Sequence, residues 1–145
     1  MDFSGKGVYG LIFENQDCKF EVGKKGEFSF ASGFHIYIGS ALGSVGLKRI
    51  KRHISFFGNK DRNPRWHVDY LHLNPSFKLV STVYAITSTR LECALASRIG
   101  GEYVSGFGCT DCTCNSHLFY RRKSPIGEIT EIFKNLGLSP LLIEL

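Results

Sequence analysis

Two runs of aromatic and branched apolar residues, Val8 to Phe13 and Phe34 to Gly39, constrain this chain more than any other feature of it. Such side chains lose freedom in a helix and fit the pleat of a strand, so both runs read as strands. The second is expected to be the buried central strand of the sheet. Between them, Lys19 to Val22 and Glu27 to Phe30 flank Gly23-Lys24-Lys25-Gly26, which reads as a hairpin closed by a glycine-bearing loop. A further strand is expected over Phe77 to Thr87. Helices are expected over Leu47 to Phe57, over Thr89 to Ile99 with an apolar stripe of Leu91, Leu95 and Ile99, and from Pro125 to Leu136 with Gly137 as the stop. The short aromatic segment Arg65 to Leu71 is also placed on a helix. At 145 residues, two separate cores would each be thin, so one compact domain is expected. The fold class that follows is α/β (α+β), a small, mainly antiparallel sheet flanked by helices.

Charge is concentrated where the first helix is expected. Between Lys48 and Arg65 lie seven basic residues and one acid, Asp61, in a chain of formal charge +5 and pI near 9.0. On a helix Leu47, Ile50 and Ile54 form an apolar stripe, while Arg49, Arg52 and His53 fall together on another face. Lys48, Arg52, Lys60, Arg62 and Arg65 are therefore candidate contacts to a nucleic-acid backbone. The plainer reading is a solvated helix face.

No apolar run approaches the roughly 20 residues that cross a bilayer, and the first residues do not read as a signal peptide. A cytoplasmic protein is expected. Five cysteines do not pair evenly, and three of them (Cys109, Cys112 and Cys114) fall within six residues, too close for pairwise stapling. Reduced thiols or a metal site fit better. Cys109, Cys112, Cys114 and His117 supply enough soft ligands for tetrahedral Zn²⁺. Otherwise these are small thiols packed beside a glycine-rich turn, with His117 orienting a backbone group.

Gly7-Val8-Tyr9 on the first strand and Tyr37-Ile38-Gly39 on the later one resemble the paired tripeptides that name the GIY-YIG nuclease superfamily. Arg49 and, four residues on, His53 resemble the arginine and histidine of its helix. Glu92 matches the glutamate of a later helix. Tyr37 to Ala41, Trp66 to Leu71 and Gly106 to Tyr120 are similar to stretches of the stand-alone Uri-type endonucleases, a prokaryotic subgroup. The resemblance runs from about Gly7 to Arg122. It implies a nuclease domain over residues 1–122 and a C-terminal helical extension, 123–145, packed on the same domain. The Tyr9 to Tyr37 interval and the Ser40 to Gly46 loop are longer than in the shortest members, and Asn115 is the candidate for a late asparagine of the superfamily.

The resemblance implies a metal-dependent endonuclease that hydrolyses phosphodiester bonds in nucleic acid, with DNA as the expected partner. Tyr9, Tyr37, Arg49, His53 and Glu92 would be catalytic, with Glu92 holding Mg²⁺ or Mn²⁺. One carboxylate suffices, since Mg²⁺ keeps several waters and accepts phosphate oxygens. Arginine offers a planar fork to phosphate, and a tyrosine near pKa 10 needs help from a cation to act as a base. Each residue also has a structural reading: the tyrosines as sheet packing, Arg49, His53 and Glu92 as surface groups. Two other functions compete, a non-catalytic nucleic-acid-binding module of the same fold and a zinc-binding or redox protein.

Overall fold

The structure is a computed structural model and describes residues 3–108 and 114–145. Its sheet is built around β1 (Gly7–Asn15), which pairs antiparallel along its whole length on both edges, with β4 (Gly33–Ala41) and with β5 (Phe77–Ile86). Two short strands complete it, β6 (Leu118–Arg121) outside β4 and β7 (Leu141–Glu144) outside β5, giving the order β6-β4-β1-β5-β7. A separate hairpin joins β2 (Cys18–Glu21) to β3 (Glu27–Phe30) through a 3-10 turn at Gly23–Lys25. The mixed α+β class with an antiparallel sheet is thus as expected. The central strand is not: Val8 to Phe13 holds the middle, and Phe34 to Gly39 lies beside it. Both runs are apolar enough for a centre. The second has only the four-residue β6 on its outer edge.

Helices cover both faces of the sheet. Tyr9, Leu11 and Phe13 point to one side, where they meet Leu47 and Ile50 of the first helical segment, Val68 and Leu71 of α2 (His67–Leu73), and Phe30 of the hairpin. Val8 and Ile12 point to the other, against Leu95 and Ile99 of α3 (Glu92–Ile99) and Ile129 and Phe133 of α4 (Ile126–Asn135). Alternation along β1 therefore feeds two cores, which is why that run is apolar throughout.

Helix α1 (Lys48–Asn59) buries Ile50, His53 and Phe56, spaced three apart, with Ile54 only half-buried. His53 thus belongs to the core stripe, not to the basic face. The third helix begins at Glu92 rather than Thr89: the Thr87 hydroxyl accepts the Thr89 N–H at 3.1 Å, a local bond that competes with helix at its start. The C-terminal segment is more than a helix. After α4 and Gly137 the chain returns as β7 along β5, and a four-residue strand of this kind has no periodicity to announce it. Ile129 and Phe133 are fully buried. Replacing Phe133 by alanine is expected to cost about 3–5 kcal/mol of stability, read from the midpoint of denaturant unfolding. A loss below about 1 kcal/mol would mean that α4 is not part of the core.

Candidate active site

The register of β1 on β4 sets Tyr9 directly opposite Gly39. The Tyr9 ring lies over that glycine so closely that a Cβ on residue 39 would run into the ring and its hydroxyl. Gly39 is needed for this approach, not for an unusual backbone angle. With Tyr9 laid flat in this way, its hydroxyl reaches His53 Nε2 at 3.0 Å. His53 is completely buried and its Nδ1 meets His72 Nε2, also at 3.0 Å. A hydroxyl and two imidazoles thus form one chain from the sheet into the α1–α2 layer.

Burial sets the protonation of this chain. Desolvation, and then the neighbouring Tyr37, push the Tyr9 hydroxyl well above its usual range, although the Arg49 guanidinium draws it back. His53 is held well below 6.5 by burial, with His72 and Arg52 adding to the effect and Asp69 opposing it. His72 is lowered to about 4, again mainly by burial. Both rings are therefore neutral at pH 7.

The fixed charge beside them is Asp69. It is fully buried and accepts hydrogen bonds from Arg52 Nη1 at 3.2 Å and Nη2 at 3.0 Å, from the Arg65 N–H at 2.8 Å and from the Trp66 N–H at 3.0 Å. Burial alone would raise its pKa, but these bonds outweigh it and hold it low. The same carboxylate caps the start of α2 from its N3 position. Arg52, proposed from the sequence as a backbone contact, is engaged here, and its guanidinium lies 4.1 Å from the Trp66 ring. Asp69 lies beneath the cleft and does not line it, whereas His67 does, accepting the Gly108 N–H at 3.1 Å.

The cleft itself encloses about 530 Å³. Tyr9, Tyr37, Arg49 and Glu92 all line it, so four of the five proposed catalytic residues share one cavity, and His53 stands directly behind Tyr9. Arg49 is held by the Ser40 carbonyl at 2.8 Å and stacks 5.0 Å above Trp66. Glu92 is only 5% exposed; its Oε1 accepts from Arg90 at 3.0 Å, and its Oε2 has no hydrogen-bond partner among the described residues. Arg49, Arg65 and Arg90 against one carboxylate make the lining of the described cleft cationic. Of the remaining basic candidates, Lys48 and Arg62 are exposed outside that lining, and Lys60 donates to the His72 carbonyl.

Cys109 and Cys112 lie outside the described residues. Cys114 is joined to Cys93 of α3 as a disulfide, which departs from the reduced thiols expected for it. His117 lines the cleft, and its Nε2 is 3.9 Å from Cys93 Sγ. The sequence reading missed Cys93, although it adjoins Glu92. It also missed His72, for which the available signal was its place beside Leu71 on the buried stripe begun by Val68.

The chain belongs to the family described as domain of unknown function DUF123, which matches residues 8–138. Neither a curated protein nor a solved structure matches it. No helix among the described residues is long and apolar enough to cross a membrane.

Three buried histidines make stability depend on pH. His35, with its Nδ1 2.7 Å from Asn15 Oδ1, is lowered by burial to about 4, as is His72, and His53 is held well below 6.5 by burial. Between about pH 6.5 and 4 the unfolded chain takes up protons that the folded one refuses, so stability falls as pH falls through that window. Asp69, whose pKa is depressed, keeps its ion pair there. Denaturant midpoints measured across this range should decline steadily, and a constant midpoint down to about pH 4 would contradict the neutral assignment of the buried rings.

Proposed function

We propose that this cleft is the active site of a metal-dependent phosphodiesterase of the GIY-YIG nuclease type, close to the Uri-type subgroup, that cleaves nucleic acid. The observation that carries the reading is the buried Glu92, whose Oε2 has no hydrogen-bond partner among the described residues, in a cleft that Arg49, Arg65, Arg90 and Tyr9 also line. Leaving a carboxylate oxygen buried without a partner is costly, and a hard divalent cation is the ligand that would relieve it. Glu92 fits such an ion as its one protein carboxylate, and Mg²⁺ or Mn²⁺ bound there would act as a Lewis acid on the phosphate.

Hydrolysis forms one bond from water oxygen to phosphorus and breaks one ester bond, the leaving oxygen taking its proton from solvent water. Tyr9 is a phenol at pH 7, so it works as a relay. In the tautomer in which His53 carries its proton on Nδ1 and donates to His72, His53 Nε2 is free to receive the Tyr9 proton. Tyr9 can then take a proton from the attacking water as it passes its own to His53. Arg49, fixed by the Ser40 carbonyl and by Trp66, presents its fork to the non-bridging phosphate oxygens as their charge grows. Tyr37 lines the same cavity and positions the water. Arg65 and Arg90 extend the cationic rim along which a polyanion would lie, DNA being the partner proposed.

Single-turnover cleavage of labelled nucleic acid, set beside thermal stability, tests these roles. Glu92→Gln is expected to abolish Mg²⁺-stimulated cleavage in a protein that still folds and binds. Arg49→Lys keeps the charge and loses the fork, so turnover should fall about 10²–10³-fold with little change in binding. Tyr9→Phe removes one hydroxyl and should slow the step about 10²–10⁴-fold. Near-wild-type rates in all three would sink the assignment. Affinity should also fall linearly with salt on logarithmic axes, and a flat response would remove phosphate contact as its main source.

A further inference from the structure

One cluster of side chains stands outside the hydrolytic relay. Cys93 on α3, Cys114 and His117 bring two sulfurs and an imidazole nitrogen to a common point, all within 4.8 Å of one another. They come from segments more than twenty residues apart, Cys93 and Cys114 being separated by 21. The fold itself makes this convergence. Cys93 is placed by a helix whose Leu95 and Ile99 are buried in the core. His117 is placed by its backbone, which donates to the Phe107 carbonyl at 2.9 Å and accepts from the Ile38 N–H of β4 at 2.9 Å.

We propose that, with Cys93 and Cys114 reduced, these three side chains form a site for a zinc-class cation that fastens the 114–117 segment to the start of α3. The disulfide brings the two sulfurs together, and the His117 imidazole adds a nitrogen donor at the same point. Donor atoms sharing one tetrahedral ion, at about 2.0–2.3 Å from it, lie about 3.3–3.8 Å from each other. The 3.9 Å between Cys93 Sγ and His117 Nε2 is within a few tenths of an ångström of that spacing. The Cα atoms of the two cysteines are 6.1 Å apart, so reduction asks only side-chain rotation for both sulfurs to reach one ion. Two equivalents of a thiol reductant return the bond to two thiols and leave as their own disulfide. Zn²⁺ then displaces both protons, giving two thiolate ligands beside a neutral imidazole.

The ligand set selects the ion. Thiolate and imidazole suit zinc and disfavour Mg²⁺, which takes oxygen. Two neighbouring residues on α3 would thus serve different metals, Glu92 a hard one in the cleft and Cys93 a soft one behind it. The consequence is positional: the ion would hold the helix that carries Glu92 against the wall of the cleft formed by His117. Cys109 and Cys112 are given no part in the site. This differs from a zinc site built on the cysteine-rich turn alone, because the decisive ligand is Cys93.

The test uses the full chain without an affinity tag, purified in a thiol reductant, and reads metal rather than cleavage, so it stands or falls independently of the hydrolase reading. Elemental analysis is expected to find about one zinc per chain. Cobalt(II) in its place should show sulfur-to-metal charge-transfer absorption. Cys93→Ser should weaken zinc by more than the 10–100-fold typical of a change outside the ligand shell. Cys93→His, which restores a ligand nitrogen, should recover zinc with weaker thiolate absorption from cobalt. If Cys93→Ser misfolds, Cys93→His decides: undiminished cobalt–thiolate absorption in that variant would also put the ion elsewhere and overturn the proposal. Absence of both zinc and cobalt–thiolate absorption in the reduced wild-type chain overturns the proposal. So does unchanged affinity in Cys93→Ser, which would put the ion elsewhere.

Discussion

The pairing of β1 with β4 decides where every other part of the cleft can go. Once Tyr9 stands opposite Gly39, the missing side chain lets the phenol ring lie down across the neighbouring strand and send its hydroxyl toward α1. A slip of one residue in this register would turn Tyr9 to the α3–α4 side and present Val8 to the relay instead. Pairing on both edges and burial on both faces make such a slip expensive. The strand that carries the reactive hydroxyl is thus also the one most firmly held.

Around that hydroxyl, polarity is arranged in two ways. The relay of Tyr9, His53 and His72 is neutral because burial penalises every charged form. Asp69 is the exception, a buried charge made tolerable by four hydrogen bonds from Arg52, Arg65 and Trp66. That carboxylate joins α1 to α2 and holds Trp66, on which Arg49 also rests at 5.0 Å. Removing one partner of such a pair typically costs about 3–5 kcal/mol, because the other charge is left buried alone. The arginine that faces the cleft is therefore positioned by a second arginine that does not.

The strands at Val8 to Phe13, Phe34 to Gly39 and Phe77 to Thr87 and the helix that bears Arg49 and His53 could be read from the sequence, because an apolar run and a helical stripe are local features. Which strand is central could not, since two runs were equally apolar and only pairing on both edges separates them. β6 and β7 were also illegible. Four residues carry too little pattern, and each strand exists because a neighbouring edge supplies its hydrogen bonds.

For the candidate site, the sequence put forward Tyr9, Tyr37, Arg49, His53 and Glu92 as a set only through the resemblance of their motifs, in order and spacing, to a known family. Tertiary structure alone decided their surroundings. It turned His53 inward onto Tyr9, added His72 behind it, drew Arg52 to Asp69, and brought Cys93 to Cys114 and His117. These contacts join residues between 17 and 44 positions apart. No local pattern encodes a distance across that much chain, because it is set by the packing of whole helices on the sheet.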